Sequence, residues 1–213
     1  MLDFIFYLLY YGGTITYFLP VLIFCTFRKT LIKENSALFA LVFFHLFFTL
    51  ASSFAGMIYN NCYPSFHVTI PILTLLTINY FRRKGISTFI AVILASIVLL
   101  LFIYESIYLN KWFENNMLIT VFSNMCISML SLYHLYTIFT NENEKDNQFK
   151  SLFFISSGLF ISNTSIFFFS LNEDQIRSED SLLYQYVYPV FMFLYILQNI
   201  LISVGIWTTQ KRS

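Results

Sequence analysis

Long apolar runs broken by short polar stretches fill this chain, and the breaks leave seven runs, over residues 4–27, 36–59, 64–81, 86–108, 116–139, 150–170 and 183–207. A helix needs roughly 20 mostly apolar residues to cross a bilayer. The pattern therefore predicts an all-α, polytopic bundle of seven transmembrane helices, forming a single domain over residues 1–213. The third run is the shortest and carries Pro64 and Pro71. Pro64 suits a first helical turn, whereas Pro71 is expected to kink the helix.

Composition agrees with a lipid environment. Hydrophobic residues make up 58% of the chain and charged residues only 11%, against about 25% charged in soluble proteins. A net charge of +1 gives no footprint for nucleic acid. No Lys or Arg precedes Arg28, so the first run lacks the basic start of a signal peptide and reads as a retained helix. Cys25, Cys62 and Cys126 lack metal-type spacing, and neither a metal site nor a cofactor motif is expected.

The distribution of the basic residues sets the orientation. With the amino terminus outside and the carboxy terminus cytoplasmic, Arg28, Lys29, Lys33, Arg82, Arg83, Lys84, Lys145, Lys150, Lys211 and Arg212 all fall inside, leaving only Lys111 and Arg177 outside. Arg28, Lys29, Arg82, Arg83, Lys84, Lys211 and Arg212 would form a basic cytoplasmic face, attracted to anionic headgroups or available to a protein partner. Glu173, Asp174, Glu179 and Asp180 are expected in an acidic outer loop, with Asp180 or Ser181 capping the last helix.

Polar side chains recur at helical spacing inside several runs. His45, Thr49, Ser52 and Gly56 share one stripe, and Thr120, Asn124, Ser128 and Ser131 another, with His134 a turn further on. Gly158, Ser162 and Ser165, then Tyr184, Tyr188, Tyr195 and Asn199, form two more, and all four stripes are expected to face inward. Two readings stay open. Small and polar residues let helices approach closely and hydrogen-bond across the interface. Alternatively, His45, Asn124, Ser128, Tyr195 and Asn199 line a pocket for a small or lipophilic ligand. Glu105 is the only carboxylate within a run. It would either snorkel toward the headgroups beside Tyr104 and Tyr108 or, if buried, take a proton or cation role.

No catalytic set can be assembled. The three histidines lie on different runs, no HExxH or GxSG pattern occurs, and the last run has no lysine for a retinal Schiff base. Asn163-Thr164-Ser165 matches a glycosylation sequon but sits inside the sixth run.

Residues Ser151-Leu-Phe-Phe-Ile-Ser-Ser-Gly-Leu-Phe-Ile-Ser-Asn163 and Tyr195-Ile-Leu-Gln-Asn199-Ile-Leu-Ile-Ser-Val-Gly-Ile-Trp207 resemble the carboxy-terminal part of uncharacterised seven-helix inner-membrane proteins of Bacteroidota, often encoded beside sensor histidine kinases. The resemblance implies a sensory or accessory role in a bacterial inner membrane. The expected function is a non-enzymatic sensor or signalling accessory that binds a ligand within the bundle and acts through a membrane or cytoplasmic signalling protein, since no output domain is appended. A small-solute or proton-coupled transporter using Glu105, and a structural subunit without a ligand, are the alternatives.

Overall fold

The computed structural model describes residues 9, 11–13, 15–26, 35–59, 63–109, 117–140, 147–179 and 181–209. All ordered elements among them are helical: α1 (Phe18–Thr26), α2 (Ser36–Tyr59), α3 (Tyr63–Arg83), α4 (Thr88–Ile103) running into a π-helical turn (Tyr104–Tyr108), α5 (Met117–Thr140), α6 (Asn147–Glu179) and α7 (Ser181–Thr208). Five helices are long and apolar enough to cross a membrane, over Ser36–Ala55, Thr88–Tyr108, Met117–Thr140, Phe149–Asn172 and Pro189–Thr208. The protein is membrane-embedded. Two compact units divide it, one of residues 35–127 and one of residues 1–34 with 128–213.

Within the first of these units, α2, α3 and α4 run antiparallel in sequence. Ser65 donates to Ser52 at 2.8 Å near one end of the α2–α3 pair, and Arg83 donates to Ser36, also at 2.8 Å, at the other. α3 is the most polar of the three, and its His67, Thr69, Pro71, Thr74, Thr77 and Tyr80 are buried. An internal helix shielded by protein tolerates such residues. By contrast, α4 buries only Ala91 and Val98, with Glu105 seven residues on in the π-helical turn, while Phe89, Ile93 and Leu100 of α4 and Ile107 of the turn are exposed. Apolar side chains so exposed require lipid around them.

The end of α3 has a specific cause. The Ile86 amide donates to the Phe81 carbonyl at 3.2 Å and the Gly85 amide to the Arg82 carbonyl at 3.3 Å, the paired bonds of a Schellman termination. Gly85 holds φ at +117°, a region that side chains resist. Phe81 and Ile86, the two positions at which such an ending places an apolar pair, are both buried. Ser87 then caps α4, its Oγ accepting from the Ile90 amide at 3.2 Å.

The other unit is a set of closely packed helices. α6 and α7 are antiparallel and approach through two glycines: a methyl at Gly205 would stand 2.6 Å from Ile155 Cγ1 and 2.9 Å from the Ser151 carbonyl, and one at Gly158 would stand 3.1 Å from the Gln198 carbonyl. α5 and α6 are antiparallel too, with Thr164 donating to Ser128 at 3.1 Å and the rings of Phe139 and Phe153 6.0 Å apart. α1 and the residues before it run parallel to α7. Gly13 faces Met192, Tyr17 lies 6.3 Å from Tyr195, and Asn199 donates to Thr16 at 3.3 Å.

Two expectations are corrected. The sixth helix does not end at residue 170 but continues through Glu179, so Glu173, Asp174 and Glu179 are helical and not in a loop. Residues 171–179 hold neither Gly nor Pro, and polar residues of fair helix propensity continue a helix past the point where hydropathy falls. At about 1.5 Å per residue, α6 is roughly 50 Å long, well beyond the ~30 Å apolar layer. Glu105 does not snorkel either. It is 2% exposed, held by partners described below. Asp180, Arg28, Lys29, Lys211 and Arg212 lie outside the described residues.

Candidate functional site

Hydroxyl and amide groups along these helices mostly close onto their own backbone. Thr49 donates to the His45 carbonyl, Ser53 to Thr49, Thr74 to Ile70 and Thr77 to Leu73. Asn163 donates to Leu159, Ser165 to Ile161 and Ser203 to Asn199 in the same way. A donor returned to the carbonyl one turn back is satisfied without water, and so it costs little in an apolar layer.

The tentative ligand residues divide between the two units. In the 35–127 unit, His45 is half-buried on α2, and Asn124 is buried on α5 with its amide donating to the Thr120 carbonyl at 2.8 Å. In the other unit, Ser128 accepts from Thr164, Tyr195 lies against Tyr17, and Asn199 is 2% exposed with Thr16 as its side-chain partner. Ser128, Tyr195 and Asn199 are thus taken up in helix–helix contacts of their unit, whereas Asn124 closes onto its own helix. Buried hydroxyls with no hydrogen-bond partner among the described residues are those of Thr69 and Ser123 in the first unit, and of Ser131, Ser156 and Ser162 in the second.

The densest polar arrangement surrounds Glu105. Its Oε1 accepts the Leu118 amide at 2.8 Å and its Oε2 the Ile119 amide at 3.0 Å. Both amides belong to the first turn of α5, where backbone N–H groups lack intrahelical acceptors and the helix dipole favours an anion. The carboxylate therefore caps α5 from a neighbouring helix. The π-helical turn makes this reach available, since the extra residue in its wider hydrogen-bonded loop turns Glu105 and Ser106 together into the interior. Ser106 Oγ lies 3.2 Å from His67 Nδ1, and both residues are almost wholly buried.

The basic turn after α3 is engaged as well as exposed. Arg82 donates to Asn79 Oδ1 at 3.0 Å, Arg83 to Ser36 Oγ at 2.8 Å, and Lys84 to Asn35 Oδ1 at 3.1 Å. The last two contacts tie the end of α3 to the start of α2. Asn35 and Ser36 were not singled out in the sequence. Asn immediately before an apolar run is a helix-start signal that would have found them. The His67–Ser106 contact had no such signal, because its two residues are 39 positions apart.

Among the described residues, no group of three or more His, Cys, Asp or Glu could hold a metal ion. Comparison of the chain with protein families, curated proteins and solved structures finds no match.

Proposed function

We propose that the chain is a seven-crossing inner-membrane protein with its amino terminus outside, acting as a sensory or accessory subunit through a partner protein and not through chemistry of its own. The observation that carries this reading is the destination of the polar donors. They return to their own helices or tie neighbouring helices together, and the buried carboxylate serves as a helix cap. Among the described residues, what remains for recognition is the outer surface and a few buried hydroxyls. In the unit holding α6 and α7, Ser131, Ser156 and Ser162 are the groups that a small or lipophilic ligand would engage. The parallel course of α1 and α7 supports an odd number of crossings, and the basic residues support the orientation.

The test is deletion of the gene with measurement of the cell's regulatory output across the whole transcriptome. The accessory reading expects that output to change and to be restored by the wild-type chain. An output unchanged under every condition sinks it.

A proton-coupled transporter is the second reading, favoured by a buried carboxylate whose chain neighbour Ser106 meets His67. It expects uptake in proteoliposomes that Glu105→Gln abolishes while the variant stays folded.

A further inference from the structure

Arg82 and Arg83 occupy two successive positions at the end of α3, on a backbone fixed by the Schellman termination at Gly85. Both are exposed. Each guanidinium carries five N–H donors, and the partners that the structure gives them are neutral oxygens, Asn79 Oδ1 and Ser36 Oγ. Among the described residues, these contacts restrain the two side chains without neutralising them. A methyl built on Gly85 would meet nothing within 4 Å, so the turn is uncrowded at that residue.

The depth of this turn is set by its neighbours. Arg83 is bonded to Ser36, the first residue of the span Ser36–Ala55, and four residues separate it from Thr88, the first residue of the span Thr88–Tyr108. Both apolar helices leave the hydrocarbon layer here, so the guanidinium groups stand at headgroup level. Planar forks at that level, restrained and with donors to spare, suit the tetrahedral oxygens of a phosphate. A diffuse positive charge would also attract anionic lipid. A fork differs from it in being sensitive to the geometry of the donors.

We propose that Arg82 and Arg83 form a binding site for the phosphate of an anionic lipid headgroup. The site rests on the membrane-embedded character of the chain alone. It requires neither the seven crossings nor a signalling partner, so it can fail while the proposed function stands, and the reverse.

The experiment is native mass spectrometry of the full-length, detergent-purified protein given equimolar phosphatidylglycerol and phosphatidylcholine, with inorganic phosphate as a separate arm. Wild-type protein is expected to retain phosphatidylglycerol preferentially. Arg82→Gln and Arg83→Gln should each weaken it about fivefold, with the thermal midpoint in detergent checking the fold. The charge-preserving double variant R82K/R83K separates a fork from diffuse attraction and should retain far less phosphatidylglycerol than the wild type. Equal retention of the two lipids by the wild type overturns the proposal. So does a Lys variant that matches the wild type, and so does inorganic phosphate displacing the lipid at comparable concentration, which would make the site one for the free anion.

Discussion

The carboxylate of Glu105 accepts the backbone amide of Ile119 at 3.0 Å, joining the π-helical turn after α4 to the first turn of α5. Its other oxygen takes the Leu118 amide. One buried side chain thereby satisfies two amides that no intrahelical carbonyl can reach. Glu105→Ala removes both acceptors and leaves the buried Ile119 amide unsatisfied, with an expected loss of about 1–3 kcal/mol, to which the part-buried Leu118 amide adds less. Glu105→Gln keeps one acceptor but turns an NH₂ toward a donor, so it should fall between wild type and Ala. Thermal unfolding in detergent ranks the three. Indistinguishable midpoints would mean that the cap contributes nothing.

Gly205 and Gly158 differ in how much room a methyl would find. At Gly205 the contacts are 2.6 Å to Ile155 and 2.9 Å to a backbone carbonyl, whereas at Gly158 the closest are 3.1 Å. Gly205→Ala should therefore destabilise by about 1–3 kcal/mol, as overpacking of a tight contact does, and Gly158→Ala by less. Adding Ile155→Ala to Gly205→Ala relieves only part of the loss, because the Ser151 carbonyl stays in place. Full rescue would contradict the close approach of α6 and α7. Midpoints in detergent again provide the measurement.

Asn199 was a candidate ligand residue, and its amide is engaged by Thr16 at 3.3 Å. A double-mutant cycle of Thr16→Ala and Asn199→Ala should return a coupling of about 0.6 kcal/mol, typical of side-chain hydrogen bonds between membrane helices. Zero coupling would show that Asn199 is not engaged in this contact, and would strengthen its case as a ligand group.

The extent to which the sequence disclosed this structure follows from what each signal measures. The run 36–59 and the helix Ser36–Tyr59 coincide because an Asn precedes the run and the apolar composition holds to its end. Residues 150–170 understate α6 because hydropathy reports where lipid ends, while a helix ends where its backbone is broken. α3 falls outside the set of helices apolar enough to cross, for a different reason. Its His67 and threonines are buried against protein and lower its hydropathy. The polar stripes were visible, but not their partners. A serine or asparagine bonded to its own carbonyl has the same spacing as one aimed into a pocket. The Glu105 cap joins a side chain to backbone amides 13 and 14 residues away, and backbone amides leave no mark in a sequence.

The central claim is the seven-crossing topology, which requires both α1 and α3 to cross beside the five longer apolar helices, and α3 is the one whose two ends can be tested directly. If α3 crosses, Cys62 and Lys84 lie on opposite sides of the membrane. The direct measurement is labelling of intact cells with a membrane-impermeant maleimide, comparing a variant that keeps only the native Cys62 with one that carries only Lys84→Cys. Labelling of Cys62 in intact cells, with the Lys84→Cys variant reacting only after permeabilisation, is the predicted result. Equal access to both from one side would contradict it, leaving α3 a helix that enters the protein without crossing.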